Sequence, residues 1–437
     1  MIKLNEPTLA QRDKTIKDDK IDACLEKFKE LVRNGGYTCP ESFVNLLDDK
    51  NAIKGIKSLK NEKVTNKLKY IIVCGMGGSV TGTKAIYDTC FGFYDTLEPE
   101  RFPKIVFVDS LDANLFALLQ KLIKKNIHQS EEILVIIVSK SGNTLETVVQ
   151  GEMLGQILKE NVSNFKERLA IITDKNSSLF AVAEREEISI LVIPNMVGGR
   201  YSTFSSVSLF PLSCAGIDID AIVAGALEAR ENSLSDNLST NRSFVSVSAI
   251  FEAICSGKNI HDLFFFHSAL ESLGKWCRSL YSESLGKLKN RKGEEKHFGF
   301  TTTVSIGPAD LHSTLQLNLG GPINKFTTFV STPSLKDFGV RRIIGLQEES
   351  FPVYGKNTED VLSAIKSSVL KVYANKKLPF IEIKTSDVSE KFLGEFMMMK
   401  MMETVYLAEL MDVNAFDQPE VEVYKKEAEK ILSAETN

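Results

Sequence analysis

No apolar run in this chain approaches the ~20 residues that span a bilayer, and the opening stretch MIKLNEPTLAQRDKTIKDDK lacks the apolar core of a signal peptide. No membrane partner is expected. Cysteine is sparse and irregular: Cys24, Cys39, Cys74, Cys90, Cys214, Cys255 and Cys277, with no CxxC pair among them. That pattern gives neither a zinc site nor a disulfide framework, and it suits free thiols in a reducing compartment. The cytoplasm is the expected location. An excess of positive charge is missing too, because 53 basic and 57 acidic residues mix along the chain for a net charge of -4. Without a basic stripe to neutralise a phosphate backbone, nucleic acid is not expected as a partner. Low-complexity segments and short-period repeats are also absent.

What is present is ordinary globular material: 437 residues, 43% hydrophobic and 25% charged. A chain of that length holds two domains or a little more, since single cores stop growing near ~250–300 residues. From Lys69 the pattern alternates strand and helix: KYIIVCG, VTGTKAIYDTC, PKIVFVDS, LDANLFALLQKLIKK, EILVIIVSK, TLETVVQGEMLGQILKE, RLAIITD, SSLFAVAEREE and ISILVIPN. The strand candidates are short and continuously apolar, as parallel strands covered on both faces should be. A second series follows a helical stretch near 219–256: DLFFFHS, a helix, FTTTVSIG, KFTTFVS, RRIIGLQ, a helix from Thr358, FIEIKT and EFMMMKMMETVYLAELM. The expected fold is therefore α/β with two doubly wound parallel sheets, each in three α/β/α layers. The boundaries run 1–68 for a helical N-terminal segment, 69–215 and 216–412 for the two α/β domains, and 413–437 for a helical tail. The methionines at 397–402 read as core filling within a helix.

Ligands of open α/β sheets bind beyond the carboxyl ends of the strands, where helix N-termini offer free N–H groups. The first strand ends in Gly75-Met76-Gly77-Gly78-Ser79, which fails the dinucleotide spacing because Val80 occupies the place of the third glycine. It serves either as a tight turn or as a close approach of backbone to an anion or a sugar hydroxyl. The third strand ends in Ser139-Lys140-Ser141-Gly142-Asn143-Thr144. Helix capping by Asn143 or Thr144 explains one or two of these residues. The rest of the run, hydroxyls with glycine and no carboxylate, is what a phosphate monoester needs at a helix start. After the fifth strand, Val197-Gly198-Gly199-Arg200 can swing a planar guanidinium over the strand ends, to hold an oxyanion or to make a structural ion pair.

Taken in order, GMGGSVTG, SKSGNTLET, VGGRYS, ESLGK, DLHSTLQ and FDQPEVEVYK resemble the motifs of glucose-6-phosphate isomerases, which consist of two sugar-isomerase (SIS) domains. The resemblance spans about residues 70–430 and suits the shorter bacterial form. It implies interconversion of glucose 6-phosphate and fructose 6-phosphate by ring opening and a cis-enediolate, with no cofactor and no metal. It also implies a homodimer with shared active sites. On this resemblance Glu283 is the base that carries the proton between C2 and C1. His312 assists ring opening from the neighbouring subunit, Lys425 assists at the ring, and Arg200 stabilises the enediolate. Ser139, Lys140, Ser141 and Thr144 match the phosphate loop; Gly78 and Ser79 match the sugar-side turn, and Gln418 a sugar-contacting glutamine. The chain departs from many relatives at Ser279, where they carry glutamine. A dual-specificity phosphoglucose/phosphomannose isomerase is an alternative, and a non-catalytic sugar-phosphate sensor is one from another class. The sensor reading predicts an attached partner domain or loss of the base, and here Glu283, His312 and Lys425 are all present.

The word ESLGK occurs twice, from Glu271 and from Glu283. On a helix over 269–288, Leu270, Leu273, Cys277, Leu280 and Tyr281 form an apolar stripe. Glu271 then faces solvent with Lys275 at i+4, while Glu283 lies at the stripe's edge beside Trp276, where a half-buried flank can raise a carboxylate toward a working base.

Overall fold

A computed structural model describes residues 2–5, 19–333, 338–341 and 353–434. Its strands in chain order are β1 (Lys3–Asn5), β2 (Tyr70–Cys74), β3 (Lys104–Val108), β4 (Ile133–Val138), β5 (Leu169–Thr173), β6 (Ser189–Val192), β7 (Ile260–Phe265), β8 (Lys287–Lys289), β9 (Glu295–Phe298), β10 (Thr301–Ile306), β11 (Lys325–Ser331) and β12 (Phe380–Lys384). One five-stranded sheet has the order β3-β2-β4-β5-β6 and another the order β1-β12-β11-β7-β10, while β8 and β9 form a separate antiparallel ribbon.

Every ladder of the first sheet is parallel. Its central strands β2, β4 and β5 are buried almost throughout beneath the connecting helices, which is why they read as short apolar runs. The connection direction reverses between β2 and β4, so the crevice at the carboxyl edge opens there. The Gly75–Ser79 and Ser139–Thr144 turns both leave the sheet at this point. In the second sheet β10, β7, β11 and β12 are parallel, and β1 adds antiparallel to β12. The N-terminal segment is thus helical over Asp19–Asn34 and Lys50–Lys63 but also supplies an edge strand to a distant sheet. RRIIGLQ, expected as a strand, begins at Arg341 and otherwise lies outside the described residues.

One apolar cluster runs continuously between the sheets, joining Ile71 and Val73 of β2 to Leu263 and Phe265 of β7. Its centre is the helix Glu390–Met411, whose Met397, Met398, Met399, Met401 and Met402 are each at most 1% exposed, so the methionines fill core. That helix lies against Ile219–Ser233 so closely that a Cβ on Gly225 would meet the Lys391 carbonyl oxygen at 1.9 Å, and one on Gly394 the Ile222 oxygen at 1.8 Å. Among the described residues no helix is long and apolar enough to cross a membrane.

Candidate active site

Three turns meet at the carboxyl edge of the first sheet. After β6 the chain returns across that edge to the turn after β2, where Gly199 sits against Gly78. A Cβ on Gly78 would fall 2.3 Å from the Gly199 carbonyl carbon and 2.6 Å from the Arg200 nitrogen. The two Gly-Gly pairs are thus one packing unit: only a residue without a side chain lets the Arg200 turn approach this near.

The turn after β4 is built around Ser139, whose buried hydroxyl accepts from the Gly142 N–H at 3.1 Å and lies 3.3 Å from the Thr144 hydroxyl. Gly142 has φ +74°, a conformation that disfavours a side chain. Thr144 is the N-cap of the helix Leu145–Asn161, but its hydroxyl makes no capping bond to that helix. Ser141 and Thr144 hydroxyls stand 3.5 Å apart. The hydroxyls therefore gather on one another at a helix start, a donor arrangement suited to an anion. Burial pulls the Lys140 ammonium below its ordinary pKa, and Asp174 opposes that shift.

Arg200 is buried at the junction of the two sheets, and all five of its donor positions find acceptors. Its Nε donates to the Ser284 hydroxyl at 2.9 Å, and Nη2 donates to the carbonyls of Ala415 at 2.8 Å and Asp417 at 2.9 Å. Nη1 donates to Gln418 Oε1 at 2.9 Å and, weakly, to Glu283 Oε2 at 3.5 Å. Motifs separated by more than 200 residues thus converge on one guanidinium. The long contact to Glu283 marks the side on which a substrate oxygen could compete for the fork.

Glu283 occupies the last turn of the helix Glu271–Leu285. The apolar stripe of this helix is buried as expected, with Leu270, Leu273, Cys277 and Leu280 at 0% and Tyr281 at 1% exposure. Exposure does not distinguish the two glutamates, however, since the Glu271 side chain is 34% and the Glu283 side chain 37% accessible. Their partners do: Glu271 pairs with Lys275 at 2.7 Å, whereas Glu283 faces Arg200. The helix also reverses the expected placement of the chemistry in the second sheet. It runs back along β7 and β10, so that a Cβ on Gly299, ahead of β10, would lie 3.0 Å from Gly286. Glu283 is therefore at the amino edge of that sheet, not beyond a strand's carboxyl end.

His312 lies at the other edge, exposed on a short helical turn after β10. Asp310 shapes this turn, accepting from the Ile306 N–H at 2.7 Å through its carboxylate and from the Thr314 N–H at 2.9 Å through its carbonyl. The six residues of β10 put roughly 20 Å between the two ends. Lys425 lies two turns beyond Gln418 in the helix Pro419–Ala434, about 10 Å along its axis. Its ammonium pairs with Glu422 at 2.7 Å. One chain thus brings together Gly78, Arg200, Glu283 and Gln418, and the Gly75–Ser79 turn leads from them to Ser139 across the β2–β4 pair; His312 and Lys425 stand apart.

Two residues that hold this site were passed over in the sequence. Ser284 bridges Arg200 and the Tyr201 hydroxyl, which lies 3.1 Å from the Ser284 oxygen. Lys287, the last residue of the second ESLGK, is buried and pairs with Asp417 at 2.9 Å. Their position beside the glutamate was the only available signal.

Two α/β sheets joined through one core, with the candidate groups gathered at their junction, make the chain a two-sheet α/β protein. It belongs to the phosphoglucose isomerase family, whose model matches residues 44–437. Similar proteins include the glucose-6-phosphate isomerase of Methanocaldococcus jannaschii, 30% identical over 85% of this chain and 86% of that one. A Thermus thermophilus glucose-6-phosphate isomerase is also 30% identical, over 90% of this chain and 91% of its own length. Among solved structures, a hypothetical protein of Thermus thermophilus superposes with a TM-score of 0.86 at 27% identity, covering 99% of this chain and 100% of the other. A glucose-6-phosphate isomerase of Chlamydia trachomatis, 18% identical, shares the fold with a TM-score of 0.80 over 100% of this chain and 89% of its own.

Proposed function

We propose that the chain interconverts glucose 6-phosphate and fructose 6-phosphate, with Glu283 as the base that moves a proton between C2 and C1. The observation that carries this reading is the Arg200 fork set between Glu283, 3.5 Å away, and Gln418, 2.9 Å away. A carboxylate that removes a proton beside a buried cation leaves the negative enediolate oxygen next to its stabiliser. Gln418 would orient the sugar, while Ser139, Lys140, Ser141 and Thr144 would hold the phosphate, with Gly78 and Ser79 along the sugar between them.

Ring opening falls to Lys425 and His312. The opposed edges of the second sheet keep His312 away from its own chain's Glu283, which favours a homodimer in which each subunit lends this histidine to the other site. Seven free thiols suit the cytoplasm as the place of action.

A coupled assay following glucose 6-phosphate formation from fructose 6-phosphate, without added metal or nucleotide, tests the proposal. Turnover well above that of a Glu283→Gln control is expected. Activity no greater than the control's would overturn it, and mannose 6-phosphate in the same assay measures tolerance at C2.

A further inference from the structure

Lys287 stands where the base helix ends and β8 begins, with its side chain only 5% accessible. Its ammonium donates to the Glu283 carbonyl at 3.0 Å, to the Asp417 carbonyl, and to Asp417 Oδ1 at 2.9 Å. All three N–H donors are thus used. The first acceptor is one of the carbonyls that a helix C-terminus leaves unpaired. The second also receives Arg200 Nη2 at 2.9 Å, so the Asp417 carbonyl is held between two buried cations. Immediately after it, Gln418 bonds the same guanidinium, and the helix carrying Lys425 starts at Pro419. Burial pulls the Lys287 ammonium below its ordinary pKa; Asp417 opposes this and Arg200 adds to it.

We propose that Lys287 is a positioning residue that fastens the Asp417–Gln418 turn to the end of the Glu283 helix, fixing Gln418 and Arg200 relative to the base. It touches no reacting atom. The alternative, a buried ion pair that serves stability alone, accounts for the Asp417 carboxylate. It does not account for two further bonds to backbone carbonyls, one on the base itself and one shared with Arg200. A flexible ammonium with three donors meets three acceptors in different directions, a task that a planar guanidinium performs less completely.

The proposal rests on the isomerase reading, and two independent readouts keep the failures apart. In the fructose 6-phosphate assay, Lys287→Met should lower kcat by about tenfold or more, as expected for misplaced catalytic groups. KM should stay within about threefold, because the phosphate loop belongs to the other sheet. Lys287→Arg should recover part of the lost kcat. Asp417→Asn, which removes one partner at a half-exposed residue, should lower kcat by a smaller factor and decides the matter if Lys287→Met does not fold. Hydrogen exchange at Gln418–Tyr424 should accelerate in both variants, a readout that needs no substrate. Inactive wild-type protein would sink the isomerase reading yet leave the exchange test of the tether standing. Wild-type kcat in Asp417→Asn and in any folded Lys287→Met protein, or unchanged exchange in both, would overturn the tether.

Discussion

The α-carbon of Gly78 lies so near Gly199 that an added methyl would sit 2.3 Å from the Gly199 carbonyl carbon. The contact is one-sided, since a Cβ on Gly199 would find nothing nearer than 3.7 Å. Gly78→Ala must therefore push the Arg200 turn away, whereas Gly199→Ala fits in ordinary contact. A displacement of about an ångström in a group that stabilises a transition state can cost on the order of 10²-fold in rate. Steady-state kinetics should show a loss of that size in kcat/KM for Gly78→Ala and a milder one for Gly199→Ala. The reverse ranking would refute the packing account.

The two copies of ESLGK give an asymmetric pair of variants. Glu283→Gln keeps the shape next to Arg200 but removes the base, and turnover should fall by ~10²–10⁴-fold. Glu271→Gln loses only an i,i+4 contact to Lys275, worth ~0.2–0.5 kcal/mol and further screened by solvent. Its kcat should match the wild-type value, and comparable losses from both substitutions would show that Glu283 has no special role.

Why the sequence separated these copies only in part is a matter of range. Helical angle placed the apolar stripe correctly, yet it left Glu271 and Glu283 almost equally accessible in the folded chain. What distinguishes them is Arg200, 83 residues away, and no local period encodes that neighbour. The central strands β2 and β4 were readable because five or six consecutive apolar residues covered on both faces leave a plain signal. β1, only three residues long, and the polar β8–β9 ribbon left none, since distant partners fix their pairing. Glycines and hydroxyls after the strands located the first sheet's turns. The amino-edge placement of Glu283 was hidden because it depends on the helix running back along the strands.

Stability in acid should follow Glu132, which ties the amino ends of β2 and β4 beneath the candidate phosphate crevice. Its Oε1 meets the Lys69 ammonium at 2.7 Å, and its Oε2 accepts from the His128 N–H at 2.6 Å and the Gln129 N–H at 3.1 Å. Burial raises this carboxyl's pKa, but Lys69 and the two N–H donors outweigh burial and lower it from 4.5 to about 2. A carboxyl lowered in the folded state stabilises the fold above its unfolded value, and that contribution fades as pH falls from 4.5 through about 2. Glu132→Gln should therefore lower the urea midpoint clearly at about pH 7 and much less at about pH 3. Equal shifts at both pH values would mean that the glutamate acts through packing alone.

The separation of His312 from Glu283 predicts complementation between inactive proteins. If each site takes Glu283 from one subunit and His312 from the other, Glu283→Gln and His312→Ala homodimers are both crippled at both sites. A heterodimer of the two variants collects both substitutions in one site and leaves the second site intact. Random reassortment makes half the dimers mixed, each with one intact site, so about a quarter of wild-type activity should return. Unfolding and refolding the two variants together, then assaying fructose 6-phosphate turnover against the same variants refolded separately, measures it. Activity that stays at the level of the separate proteins, with mixed dimers demonstrated by mass, would place His312 with its own chain's site or outside the chemistry altogether.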